Sequence, residues 1–259
     1  MTSTDLLTRI AAGDRRALAR ALTLAERGDA GVRSVVAAAP SNGRRPLRIV
    51  VTGPPGAGKS TLVAALIQEI RSRKLTAGVL AVDPSSPYTG GALLGDRIRM
   101  GSHALDEGVF IRSQASRGAS GGLAPSTSDL LDVLDHGGFD VVILETVGAG
   151  QADLDGVRVA DWVLLVLAPM LGDGVQGMKA GLTEAADLVV INKSDLPGAE
   201  AARNDLASAL ELSAHGPKEV LLCSARDATG VGAILDAALA LPQDEIAKRR
   251  ASRTAGARP

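Results

Sequence analysis

Gly53-Pro54-Pro55-Gly56-Ala57-Gly58-Lys59-Ser60 follows directly on the apolar run Leu47-Arg48-Ile49-Val50-Val51-Thr52, and Leu62-Val63-Ala64-Ala65-Leu66-Ile67 continues it. A buried strand thus delivers the chain to a glycine turn that opens a helix. Backbone N–H groups in such a turn, together with the positive end of the helix, make a site for polyphosphate. Lys59 can reach the β- and γ-phosphates, and Ser60 can hold Mg²⁺. The candidate nucleotide-binding residues here are Gly53, Pro54, Pro55, Gly56, Ala57, Gly58, Lys59, Ser60 and the adjoining Thr61. The strand before and the helix after set this stretch apart from a chance match in a glycine-rich chain.

Around the loop, strands and helices alternate. Strands are expected at 47–52, 77–82, 109–112, 139–145, 161–168, 187–192 and 219–223, and helices at 59–74, 125–136, 198–213 and 230–240. Val141-Val142-Ile143-Leu144 and Val163-Leu164-Leu165-Val166-Leu167 are apolar at every position, as expected of strands covered on both faces. The fold class is therefore α/β, a P-loop NTPase with a mostly parallel central sheet flanked by helices and ligand loops at the strand ends. Residues 1–40 read as a separate N-terminal helical extension: Asp14 can cap a helix carrying Leu18, Ala21, Leu22 and Ala25 at helical spacing, with Gly28 as its stop. Pro40 to Pro46 reads as a linker, 47–241 as the nucleotide-binding domain, and 242–259 as a disordered basic tail. Two long glycine-rich segments, 83–103 and 113–124, are expected to be ligand-responsive loops.

Composition narrows the class. The chain has 259 residues, 46% hydrophobic but only 2% aromatic, so its interior must be aliphatic. A formal charge of −1 gives no sign of a nucleic-acid-binding surface. The single Cys223 excludes an internal disulfide and suits a reducing compartment. The longest apolar stretch, Trp162 to Leu171, is about half a membrane span, and the N-terminus shows no secretory pattern. The expectation is a cytoplasmic protein with neither membrane nor nucleic acid as partner.

Further strand ends carry chemistry. Asn192-Lys193-Ser194-Asp195 closes the run Leu188-Val189-Val190-Ile191. A carboxylate at Asp195 can accept from both the ring N–H and the exocyclic amine of guanine, a pair adenine cannot offer. The stem of Lys193 can lie along the base, and Asn192 can tie this loop to the phosphate loop. Ser224 and Ala225, after Cys223, suit a loop whose backbone N–H meets the guanine O6, with Cys223 a buried spacer. Together these favour GTP over ATP. Glu145-Thr146-Val147-Gly148 ends another strand; Gly148 N–H would touch the γ-phosphate and Glu145 would sit near the metal. Asp83 and Asp96 could join Ser60 and Glu145 around one Mg²⁺, although turn or capping roles are commoner for such aspartates.

These residues together resemble the MeaB family, G proteins that act as chaperones of adenosylcobalamin-dependent methylmalonyl-CoA mutase. The likeness runs from Gly13-Asp-Arg-Arg-Ala-Leu-Ala-Arg-Ala-Leu to about residue 240. It includes Asp83-Pro-Ser-Ser-Pro, Gly95-Asp-Arg, Ser116-Arg-Gly, Gly121-Gly, Glu145-Thr-Val-Gly-Ala-Gly-Gln151 and Gly172-Asp-Gly-Val-Gln-Gly-Met-Lys-Ala-Gly181. The resemblance implies slow GTP hydrolysis to GDP and phosphate that quickens on a mutase, with nucleotide state gating cofactor loading and protecting the mutase. It makes 172–181 a third switch, with Lys179 a coupling residue or a solvated helix lysine. Family members continue past the last helix into an arm that helps form a homodimer. This chain instead ends in Lys248-Arg-Arg-Ala-Ser-Arg-Thr-Ala-Gly-Ala-Arg-Pro259, so a homodimer is a possible assembly but its usual C-terminal arm is expected to be absent, and a different acyl-CoA mutase could be the partner.

The expected chemistry is in-line attack of water on the γ-phosphate, with Lys59, Asp83, Asp96 and Glu145 as the catalytic candidates. Arg97 or Arg117 could add positive charge, and the sequence does not choose between them. A GTPase of nickel-site assembly shares the class, but His103, His136 and His215 are scattered and Cys223 is alone. A kinase linked to arginine or ornithine transport is a further reading, though no acceptor site is marked.

Overall fold

The computed structural model describes residues 3–36, 40, 45–83, 105–115, 123–148, 151–169, 180–211 and 218–256. One sheet organises them: β1 (Leu47–Thr52), β2 (Ala77–Asp83), β3 (Val109–Ala115), β4 (Val141–Glu145), β5 (Trp162–Leu167), β6 (Leu188–Ile191) and β7 (Val220–Leu222). They lie in the order β3-β2-β4-β1-β5-β6-β7, and every pairing is parallel. Each strand expected from the sequence is present, with β3 running three residues further. β1, β2, β4, β5 and β6 are buried at every position, whereas β3 and β7, at the two edges, are partly exposed. Continuous apolar runs are what a sheet sandwiched between helical layers requires.

Alternate residues feed two cores. Ile49, Val51, Val79, Ile143, Leu164 and Val190 face α4 (Lys59–Ser72) and α9 (Val231–Leu239). Val50, Leu80, Leu144, Val163 and Ile191 face the other layer, which includes α5 (Ser126–Asp135) and α8 (Ala199–Glu211). The four helices expected from periodicity are these. Shorter helices are α6 (Gln151–Val159), α7 (Ala180–Ala185) and, before the sheet, α3 (Ala30–Val36).

The N-terminal helices are not a separate extension. Asp14 caps α2 (Arg15–Glu26) as expected, accepting from Arg16 N and Ala17 N at 2.9 and 3.0 Å. But Leu6 and Ile10 of α1 (Ser3–Ala11), Leu18 and Leu22 of α2, and Val32 of α3 belong to the same core as Val50 and Leu144. α2 packs on α5, and the ion pairs Arg33–Asp129 and Arg112–Glu26 bind the layer to the domain. An apolar helix face needs a surface to cover, and α5 supplies it.

The basic tail is also different from expectation. Gln243–Gly256 forms a helix, α10. Arg249 Nη1 donates to Asp161 O and Asp187 Oδ1, both at 2.8 Å, while Arg250 reaches Asp135, Asp161 and Pro46 O. Arg48 joins them: burial alone would lower its pKa, but Asp135 and Asp132 outweigh that and raise it. The charges that made the tail look solvated meet carboxylates beside the starts of β5 and β6 and at the end of α5. Among the described residues no helix is long and apolar enough to cross a membrane. Asp96, Arg97, Arg117, His103, Lys179, His215, most of both glycine-rich loops and residues 172–179 lie outside the described residues.

Candidate functional site

β1 lies between β4 and β5, so the loop after it emerges where the ends of three strands meet. α4 begins at Lys59 behind Gly58, and no side chain caps it. The first N–H groups of a helix lack intrahelical acceptors, so this uncapped end points donors and a positive dipole into the cleft. The cleft, of about 410 Å³, is lined by the loop, by Glu145, Thr146 and Val147 from the end of β4, by Val82 and by Lys193. Lys59 is buried, and its Nζ donates to Gly53 O at 2.8 Å and Pro54 O at 3.1 Å. The ammonium is thereby held at the rim of the loop. Gly148 lies against it: a Cβ there would stand 2.4 Å from Gly53 O and 2.5 Å from Lys59 Nζ.

Ser60 Oγ donates to Glu145 Oε1 at 2.5 Å. Asp83 ends β2, two residues beyond Ala81, the register partner of Glu145, and is 1% exposed; Val82, not Asp83, lines the cleft. Among the described residues no group of three or more His, Cys, Asp or Glu could hold a metal, and Asp96 is outside them. A hydroxyl and a carboxylate in contact beside a phosphate-binding loop nevertheless form an all-oxygen donor pair. That chemistry suits Mg²⁺, which takes few protein ligands and completes its shell with water and phosphate.

The other loops join the same cleft through Asn192. Its Nδ2 donates to Ala57 O at 2.9 Å and its Oδ1 accepts from Ala225 N at 3.0 Å, so one buried side chain ties three loops together. The Ala225 N–H expected for guanine O6 is therefore engaged by Asn192. Asp195 Oδ1 accepts from Ser224 Oγ at 2.9 Å, and Oδ2 lies 3.3 Å from the exposed Arg226, a neighbour that sequence reading passed over. Cys223 is fully buried between these loops, and burial pushes its thiol up to about 11. His136 is buried too and sits at the end of α5, its Nε2 3.3 Å from Val36 O.

A second cluster went unread in the sequence. Thr52, Thr146 and Asp153 are all buried, and both hydroxyls donate to Asp153 Oδ1, at 2.8 and 2.6 Å. The only local signal is an acid in the first turn of a helix, which ordinarily means capping.

Comparison with known proteins agrees with this arrangement. The family model described as methylmalonyl Co-A mutase-associated GTPase MeaB matches residues 18–254. A relative from Pyrococcus abyssi is 52% identical over 217 residues, 83% of this chain and 67% of its own length. The GTPase ArgK of Escherichia coli is 39% identical over 244 residues, 90% of this chain and 74% of that protein. The chain thus spans about two thirds to three quarters of such relatives. The crystal structure of an LAO/AO transport system kinase superposes with a TM-score of 0.76 at 30% identity, covering 98% of this chain and 81% of that one. HypB of Helicobacter pylori, solved with nickel, superposes with a TM-score of 0.55 at 18% identity over 80% of this chain and 89% of that one, a likeness of fold alone. With a parallel P-loop fold, the loops around Asn192 and a family match across almost its whole length, the chain belongs to the MeaB family of GTPases.

Proposed function

We propose that this chain binds and hydrolyses GTP and, through its nucleotide state, acts as a chaperone of an adenosylcobalamin-dependent acyl-CoA mutase, gating cofactor loading and protecting the mutase. The observation that carries the nucleotide half is Asn192, which holds the phosphate loop and the 192–195 and 224–225 loops around one cleft. Asp195 would accept from the guanine ring N–H and amine, with Lys193 along the base. Support for the mutase half comes from the family match over 18–254. A mouse relative described as methylmalonic aciduria type A homolog, mitochondrial, 37% identical over 196 residues, supports it further.

Phosphoryl transfer to water needs positioning and charge more than covalent help from the protein. Lys59 would turn from Gly53 O to the β- and γ-oxygens and neutralise charge there. Ser60 and Glu145 at the cleft, with Asp83 behind Val82 and with Asp96, would hold Mg²⁺, which when bound would supply further charge neutralisation. Gly148 N–H would meet the γ-phosphate, and Arg97 or Arg117 would add positive charge.

Co-purification from the host in the presence of a GTP analogue tests the proposal. Recovery of a cobalamin-dependent mutase is expected. Repeated recovery of a transporter component or a nickel enzyme in its place would overturn it. The likeness to an LAO/AO transport system kinase makes a kinase the second reading. Transfer of the γ-phosphate to a small-molecule acceptor, without release of free phosphate, would establish that one.

A further inference from the structure

The geometry points to Asp153 as a positioning residue for hydrolysis, an inference that rests on the reading of this cleft as a GTPase site. Its carboxylate is 3% exposed and receives Thr52 Oγ1 at 2.8 Å and Thr146 Oγ1 at 2.6 Å on the same oxygen. The two threonine oxygens are 3.1 Å apart. Each hydroxyl has one proton to give, and both are used when both point to Asp153. The carboxylate therefore fixes both rotors, and removing it leaves only the 3.1 Å contact between the two hydroxyls and the longer 3.5 Å approach of Thr146 Oγ1 to Val51 O.

The two threonines occupy the places where β1 and β4 leave the sheet. Thr52 directly precedes Gly53, whose carbonyl holds Lys59 Nζ. Thr146 directly follows Glu145, which holds Ser60 Oγ, and stands two residues before Gly148, packed on Lys59. Thr146 N also donates to Val51 O at 3.2 Å. The clamp thus sets the register between the strand that carries the phosphate loop and the strand that carries the metal carboxylate.

Asp153 brings α6 into the same junction. Along that helix, Asp155 Oδ2 accepts from Leu123 N at 3.3 Å, and Leu154 lies 3.4 Å from where a Cβ of Gly181 in α7 would be. Gly156 lets the helix press on Val50 and Thr146, where a Cβ would come within 3.0 and 3.1 Å. Movement of either strand end is thereby passed to a helix that touches the flanks of two loops. Nucleotide affinity is spread over the loop amides, Lys59 and the guanine loops, so loss of Asp153 is expected to act on the reaction step more than on binding.

The test compares phosphate release and affinity for a non-hydrolysable GTP analogue, well below every variant's melting temperature. Asp153→Ala is expected to lower kcat by about tenfold to a hundredfold, the scale of a misplaced reacting group, with analogue Kd within about threefold of wild type. Thr52→Val is expected to lose part of kcat and Thr52→Ser to restore it. Arg250→Ala loosens α10 at the opposite end of the strands, where β1 and β5 begin. It is expected to lower the melting temperature while leaving kcat unchanged, which separates positioning from general destabilisation. If Asp153→Ala does not fold, Thr52→Val with wild-type kcat overturns the inference, as does Asp153→Ala with wild-type kcat or with losses shared equally by Arg250→Ala. Absence of GTP turnover in the wild type would sink the GTPase reading itself and this inference with it, before any variant is compared.

Discussion

Ser60 Oγ donates to Glu145 Oε1 across 2.5 Å, which joins the first turn of α4 to the end of β4. Both oxygens are ones a divalent ion would need, so the bond holds the donor pair together at the place where Mg²⁺ would sit.

Glu145→Gln keeps an acceptor for the Ser60 hydroxyl but removes the charge. Turnover is expected to fall on the order of a hundredfold, as when a group that stabilises transition-state charge is lost. The Mg²⁺ requirement should rise. Phosphate release titrated against Mg²⁺ checks this, and an unchanged metal dependence would contradict it.

Gly148 has φ +84° and lies against Gly53 O and Lys59 Nζ. Gly148→Ala must adopt a left-handed backbone and also displace the loop carbonyl or the ammonium. A stability loss of about 1–3 kcal/mol is expected from the strain, together with weaker GTP binding. Thermal melts and nucleotide titration of the variant measure both; an unshifted melt with wild-type affinity would show that the loop can give way.

Asp195→Asn keeps an oxygen for the Ser224 hydroxyl but presents an N–H₂ where guanine offers donors. Preference for GTP over ATP is expected to fall by about a hundredfold or more. Xanthosine triphosphate, with a carbonyl in place of the amine, should gain affinity. Competition binding with the three nucleotides decides, and preserved guanine preference would refute the role assigned to Asp195.

Cys223 is buried, and its thiol is pushed up from 9.0 to about 11. Folding favours the neutral form, so the thiol contributes stability that is present below its unfolded pKa and lost as pH rises from about 9 towards 11. At pH 8 the native protein should resist alkylation by iodoacetamide and the urea-unfolded chain should react readily. Equal rates would place the thiol at the surface.

Most of the sheet was legible because burial on both faces writes itself into a run such as Val163-Leu164-Leu165-Val166-Leu167 without reference to anything distant. The loop after Thr52 was legible for the same reason: its strand, glycines, Lys59 and helix are contiguous. The N-terminal layer and α10 were not. Leu18 and Leu22 show an apolar face but not that α5 will cover it. Arg249 and Arg250 look solvated until the fold brings Asp135, Asp161 and Asp187 under them. Asp153 was missed on the same ground, since its partners lie 101 and 7 residues away in the chain and meet it only through the parallel pairing of β1 with β4.

The most direct test is GTP turnover by the purified chain, measured as phosphate release with and without purified methylmalonyl-CoA mutase in its adenosylcobalamin-free form. Slow release alone and a clear acceleration on adding the mutase, absent with Lys59→Ala, is the expected result. GTP turnover indifferent to that mutase and to related acyl-CoA mutases would contradict the coupling of this cleft to a mutase partner.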